Sequence, residues 1–231
     1  MKSAFLLSAL GLFVLPLILY LHKKIFKDGN FQAALGASLI SAIIFSTLVV
    51  VLQLLGVLIY NTDKTIGVLF KDIPLEQYLL NFSFSFAAVS LYQYLNVRFP
   101  KNDLQQYSLA VSNLLLGLCI AFLFFGYSKW YTLLTFSTLL LVLFLIEYVG
   151  KLRFMYRAYR AFVVMLVPFY LVYGILFWNG ILKVSQNGLF GLYIAKIPLE
   201  NHFITLSMVL VSVYMFEFFK SKQATGIANL H

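Results

Sequence analysis

Seven apolar stretches, each close to the length a helix needs to cross a bilayer, dominate this chain. They cover residues 4–21, 33–60, 73–95, 109–127, 130–149, 161–178 and 197–219. A spanning helix takes about 20 apolar residues, so seven of them consume about 140 of the 231 residues and leave no room for a soluble domain. Only 11% of the residues are charged, against about 25% in an average soluble domain. The expectation is an all-α, polytopic membrane bundle of seven helices in a cell (inner) membrane. The first stretch reads as an uncleaved helix, because no small-x-small cleavage site precedes the basic cluster His22-Lys23-Lys24. Ser128 and Lys129 alone separate stretches four and five, which predicts either a tight antiparallel pair or a break in one of the two.

Several function classes fall away at once. One cysteine, Cys119, excludes an internal disulfide and a multi-cysteine metal site. His22, His202 and His231 are far apart, and no glycine-rich phosphate loop or nucleophile elbow occurs. The expectation is no cofactor and no metal. The run from Lys151 to Arg160 mixes cations with aromatics, which suits anionic headgroups beside a span better than nucleic acid. Of the 17 Lys+Arg, eleven fall on one side of a seven-span model and six on the other. By the bias of basic loops toward the cytoplasm, the N-terminus is expected outside and the C-terminus inside.

An internal repeat organises the chain. Ile73-Pro74-Leu75-Glu76-Gln77 recurs as Ile197-Pro198-Leu199-Glu200-Asn201. Each copy follows an aromatic-Asn pair, Tyr60-Asn61 and Trp178-Asn179, and the pieces before them pair Gly56 with Gly174. The copies begin four helices apart, so they point the same way through the membrane. The expected layout is a 3+1+3 parallel repeat about an axis along the membrane normal: repeat 1 over about 1–96, a linker helix over 105–128, repeat 2 over 129–220 and a tail over 221–231.

Each corner places a proline where its missing N–H costs nothing and a carboxylate in the first helical turn, where the dipole favours it. An acid beside hydrocarbon is costly and marks a functional candidate. Two such acids facing one cavity can act as acid and base, so Glu76 and Glu200 are the candidate catalytic pair. Tyr60, Asn61, Pro74, Gln77, Trp178, Asn179, Pro198, Asn201 and His202 are the candidate substrate contacts around them. The other acids, Asp28, Asp63, Asp72 and Asp103, read as loop residues, and Glu147 and Glu217 as helix-end partners of Lys151 and Lys220. Rings on the two corner helices, among them Tyr78, Phe82, Phe203 and Tyr214, could face a cation in a dry site.

The paired Pro-Leu-Glu helix starts, the Gly-Val-x-x-aromatic-Asn segment before the first, the 3+1+3 layout and Pro16 followed by a basic loop resemble the membrane lycopene cyclase domain, the non-flavoprotein type. The resemblance covers nearly the whole chain. It implies an intramolecular lyase or isomerase that closes an ionone ring on a linear carotenoid without cofactor. A proton enters a terminal double bond, an internal double bond attacks the cation, and a ring proton leaves. It also implies a lipophilic polyene as partner within the bilayer, with a homo- or hetero-dimer possible, and it maps the family's glutamates onto Glu76 and Glu200. The chain departs from the pattern in repeat 1. Gln77 stands for a second acid, Leu48-Val49 for a Trp-Asp pair, Leu58 for a Trp, and Gln93 for an acid whose counterpart is Glu217. Those departures leave a non-catalytic carotenoid-binding relative or partner subunit as the alternative. A 3+1+3 small-molecule transporter is a more distant one, disfavoured by charges that cluster at span ends.

Overall fold

The computed structural model describes residues 3–21, 30–101, 105–150 and 154–228, with side chains through Lys222. The basic loop His22-Lys23-Lys24, Asp28, Asp103, Lys151 and His231 lie outside the described residues. Among the described residues seven α-helices form: α1 (Ala4–Tyr20), α2 (Phe31–Leu54), α3 (Leu75–Arg98), α4 (Ser108–Phe125), α5 (Trp130–Phe144), α6 (Met155–Trp178) and α7 (Leu199–Ala228). Five of the seven segments are long and apolar enough to cross a membrane. The others are α1, with 17 residues, and α3. The latter carries Gln77, Asn81, Ser83, Ser85, Ser90 and Gln93, all buried. A helix at the centre of a bundle faces other helices rather than lipid, so it tolerates polar groups that find partners there.

Helices α3 and α7 form that centre. Helix α1 packs on α3 as α5 packs on α7, while α2 crosses to α7 and α6 crosses to α3. Helix α4 packs on α5, after the short turn at Gly126, the tight pair that the two-residue spacing allows. Helix α5 ends in a π-turn, Leu145–Val149.

Short strands build one end of the bundle. They are β1 (Leu58–Tyr60), β2 (Leu69–Phe70), β3 (Ile73–Pro74), β4 (Leu182–Val184), β5 (Tyr193–Ile194) and β6 (Ile197–Pro198). Strand β1 pairs antiparallel with β4, Ile59 opposite Lys183, while β2–β3 and β5–β6 are hairpins. The β1–β4 pair joins the two repeats and puts both Ile-Pro-Leu-Glu corners at the same end.

The structure also corrects the register of the repeat. Gly56 (φ 67°) corresponds to Gly180 (φ 60°), not to Gly174, which lies inside α6. Both glycines close their helices in the same way: Gly56 N–H donates to Gln53 O and Val57 N–H to Leu52 O, and Gly180 N–H to Phe177 O and Ile181 N–H to Leu176 O. That pair of hydrogen bonds, donated by a left-handed residue and the one after it, is the Schellman closure, which favours glycine at the residue just past the helix. The offset of 124 that relates Gly56 to Gly180 also relates Glu76 to Glu200, β1 to β4 and the bounds of α2 to those of α6. The aromatic-Asn pairs are therefore not equivalent: Tyr60-Asn61 follows the glycine, whereas Trp178-Asn179 ends α6. The stretch over residues 33–60 accordingly stops at Leu54 instead of running on as one long helix.

At the opposite end, α6 starts at Met155 rather than Ala161, so Arg160 lies on a helix. Its guanidinium donates to Phe99 O and Asn96 Oδ1, each at 2.9 Å, and ties α6 to the end of α3. Helix α7 runs through Ala228, into the segment expected as a tail.

Candidate active site

Each corner is built alike. The hairpin turn residues Lys71 and Asp72 have φ of 50° and 60°, and Ala195 and Lys196 have 50° and 65°. Two successive residues of positive φ are what a two-residue type I′ hairpin requires. Each hairpin delivers its proline to the cap of the following helix. The glutamate two residues on is fully buried: Glu76 is 1% exposed and Glu200 0%.

These carboxylates hold the loop that precedes them. Glu76 Oε1 accepts from the Ile66 N–H at 2.7 Å, and Glu200 Oε1 from the Phe190 N–H at 2.8 Å. The donors are themselves repeat-equivalent, ten residues before their acceptors. Glu200 Oε1 also accepts from Thr132 Oγ1 of α5 at 2.7 Å. In repeat 1 that position is Ser8, whose hydroxyl donates to Ala4 O within its own helix. Among the described residues, Oε2 of both glutamates has no hydrogen-bond partner.

A cavity of about 40 Å³ lies between the repeats at this end. Four equivalent pairs line it: Val49 with Tyr173, Leu58 with Leu182, Gln77 with Asn201, and Asn81 with Thr205. It therefore sits on the axis relating the two halves. Its lining includes the neighbours of the glutamates, Gln77 and Asn201, rather than the glutamates themselves. Gln77 Nε2 donates to Asn81 Oδ1 at 2.9 Å. Three polar atoms of its lining residues, Gln77 Oε1, Asn201 Oδ1 and Tyr60 Oη, are buried without a partner among the described residues. Orphaned buried polar atoms are rare in native proteins, and here three belong to one cavity. Burial pushes the Tyr60 phenol well above its ordinary pKa, so it stays a neutral hydroxyl. Tyr131 and Tyr173 line the same cavity.

The other expected contacts lie elsewhere. Asn61 Oδ1 accepts from the Asp63 N–H and caps a short 3-10 turn. Trp178 is 68% exposed, and its indole N–H donates to Ala195 O at 3.3 Å. Asn179 caps α6, and its carbonyl accepts from Lys64 Nζ at 2.6 Å. Pro74 and Pro198 serve the helix starts. His202 faces α6: its Nδ1 lies 3.2 Å from Pro198 O and its Nε2 2.9 Å from Tyr170 Oη. A carbonyl only accepts, so Nδ1 carries a proton. The corner-helix rings named from sequence do not line the cavity; Phe45, Tyr60, Tyr131 and Tyr173 do. Among these, the sequence reading had singled out only Tyr60. It also missed Asn81 and Thr205, although each sits one helical turn after Gln77 or Asn201 and the repeat pairs them.

At the far end, Glu217 accepts from Tyr92 Oη at 2.8 Å, and Gln93 Nε2 donates to Tyr20 Oη at 2.7 Å. Glu147, in the π-turn, accepts from Ser112, whose oxygen also lies 2.7 Å from Tyr159 Oη. Among the described residues no three His, Cys, Asp or Glu side chains converge as metal ligands would.

The family described as Lycopene cyclase matches residues 2–95 and 128–219. This chain belongs to the lycopene cyclase family. The two matched segments flank α4 and end at positions that are themselves 124 residues apart, the offset of the structural repeat. No curated protein and no solved structure matches the chain. Membership in the family supports a cyclase-like function, a carotenoid as the class of substrate and a membrane-embedded setting.

Proposed function

We propose that this chain closes an ionone-type ring on the end of a linear carotenoid by proton addition and proton loss. The observation that carries the reading is the equivalent pair Glu76 and Glu200. Each is buried, held by one oxygen and unpartnered at the other, and each is next in sequence to a residue lining a cavity on the repeat axis.

The chemistry is an isomerisation and needs no oxidant. A carboxylic acid adds its proton to the terminal double bond and leaves a tertiary carbocation. An internal double bond attacks that carbon to form the ring bond. A carboxylate then removes a ring proton, and the electron pair of that C–H bond becomes the ring double bond. General acid–base catalysis of this kind gives about 10²–10⁴-fold in rate. Glu200 suits the more demanding role. Two donors fix its Oε1, Thr132 Oγ1 and the Phe190 N–H, which leaves the Oε2 edge at a defined position near Tyr131. Glu76, with one donor on Oε1, is the complementary group. The rings of Phe45, Tyr131 and Tyr173 and the oxygens of Gln77 and Asn201 can stabilise positive charge where water is excluded.

Expression in a lycopene-accumulating bacterium, with the pigments separated by chromatography, tests the reading. Ring-bearing products are expected. Unchanged lycopene beside well-inserted protein would favour the non-catalytic carotenoid-binding alternative, which Gln77 in place of an acid keeps in view.

A further inference from the structure

The cavity on the repeat axis is too small for its task as it stands. An apolar cavity of about 150 Å³ holds a single benzene ring, and this one has about 40 Å³. A second hollow of about 500 Å³ lies beside it, on the outer face of α2 and α3 and beneath the β2–β3 hairpin. Its walls are mostly apolar, with Leu39, Ile43, Val50 and Phe82 among them, and the hairpin tip contributes Phe70 and Lys71. Tyr78 Oη donates to Phe70 O at 3.0 Å and holds the hairpin over the groove.

The partition between groove and cavity is thin and polar. Ser46 lines the groove, and Asn81 and Gln77 line the cavity. Asn81 Nδ2 donates to Ser46 Oγ at 3.0 Å, and Gln77 Nε2 donates to Asn81 Oδ1 at 2.9 Å. The chain ends at Gln77 Oε1, one of the orphaned atoms. The Ser46–Asn81 hydrogen bond thus separates groove from cavity, while Ser85 and Ser41, 3.2 Å apart, tie α2 to α3 one turn away.

Repeat 2 is closed at the equivalent place. The counterpart of Ser46 is Tyr170 and that of Tyr78 is His202, and these two rings are hydrogen-bonded at 2.9 Å. Phe169 packs on His202, with ring centroids 4.8 Å apart. A small hydroxyl on one side of the pseudo-twofold is matched by a bonded ring pair on the other. The twofold that organises the fold is thus broken where a passage would run.

We infer that the α2–α3 groove is the lateral portal for the substrate, a linear polyene hydrocarbon taken from the bilayer. The Ser46–Asn81–Gln77 chain is its gate, and the Tyr170–His202 pair seals the equivalent route in repeat 2. This deepens the proposed function and rests on it for the identity of the occupant. The groove opens on the outer face of the bundle, meets the cavity at the Ser46–Asn81 hydrogen bond and has mostly apolar walls, which suits an extended hydrocarbon.

The test uses a matched pair of variants. Ile43 is 65% exposed on the groove wall, and its counterpart in repeat 2, Val167, is 64% exposed. Ile43→Trp fills the groove without touching the core, and Val167→Trp adds the same ring to the closed side. Ser46→Tyr copies repeat 2 directly, and Ile43→Trp keeps the test decisive if that variant fails to fold. Two readouts are taken from the full-length protein in lycopene-accumulating cells: ring formation per inserted molecule, and lycopene retained on the purified protein. Ile43→Trp and Ser46→Tyr should lower both at least tenfold, and Val167→Trp should leave both within twofold of the parent. If the parent retains lycopene unconverted and Ile43→Trp abolishes retention, the portal stands and the cyclase reading falls. If Ile43→Trp leaves retention and turnover unchanged, or changes them no more than Val167→Trp does, the portal is wrong. Loss of co-purifying phospholipid from Ile43→Trp with lycopene retention unchanged assigns the groove to acyl chains and also overturns the proposal. A parent that neither retains nor converts lycopene overturns the portal and the proposed function together.

Discussion

Glu200→Gln is the sharpest residue-level probe because it separates two roles of one side chain. The amide keeps a carbonyl oxygen for Thr132 Oγ1 and the Phe190 N–H, so the loop stays pinned, while the acid is lost. On the proposed mechanism, ring formation per inserted molecule falls by about 10²–10⁴-fold, with protein level close to the parent's. Glu217→Gln acts differently. It lies about 25 Å further along α7 at 1.5 Å per residue, where its partner is Tyr92, so its loss should lower protein level more than turnover per molecule. Full activity in Glu200→Gln would leave the glutamate as a loop anchor alone. The residue types themselves were readable from the repeat: a carboxylate after Ile-Pro-Leu, twice, is hard to miss. That one oxygen of each would bind a backbone N–H ten residues earlier was not readable, because nothing in the local pattern shows where a loop returns.

Among the elements, the hairpins carry the most local strain. Lys71, Asp72, Ala195 and Lys196 hold the left-handed conformation, which costs an L-residue roughly 1–2 kcal/mol. Glycine adopts it freely, so Ala195→Asn with Lys196→Gly should stabilise the protein by about 1 kcal/mol and raise its thermal midpoint in detergent. A lower midpoint would mean that the replaced side chains contribute contacts outweighing that relief. The helices followed from hydropathy, apart from their ends. The stretch over residues 33–60 reads as one apolar run, and only the position of Gly56 marks where α2 turns back. Gly174, placed in an equally apolar context, lies inside α6. A glycine at a helix end and one within a helix look alike in sequence, and the pairing of Gly56 with Gly174 failed for that reason.

On the scale of the whole molecule, the strands of the described residues gather at one end, and β1–β4 joins the repeats there. By the Lys and Arg bias, that end is expected outside and the C-terminus in the cytoplasm. A reporter active only in the cytoplasm should therefore signal when fused to the C-terminus, and a reporter that folds only outside should stay silent. The opposite pattern would reverse the orientation and move the two Ile-Pro-Leu-Glu corners to the cytoplasmic face.

The membrane bundle, the seven helices, the repeated corner and the acid at each of its two helix starts were determined by the sequence alone. Each rests on local chemistry repeated along the chain: apolar length, proline and acid at a helix start, and the recurrence of that pair. The tertiary structure alone decided which residues meet. It brought Tyr60, Gln77 and Asn201 to one cavity, sent Trp178 outward and turned His202 toward Tyr170. It also set Ser46 against Asn81 in one repeat and Tyr170 against His202 in the other. Those contacts join residues on different helices, and their geometry depends on how α2 and α6 cross the central pair, which hydropathy does not encode.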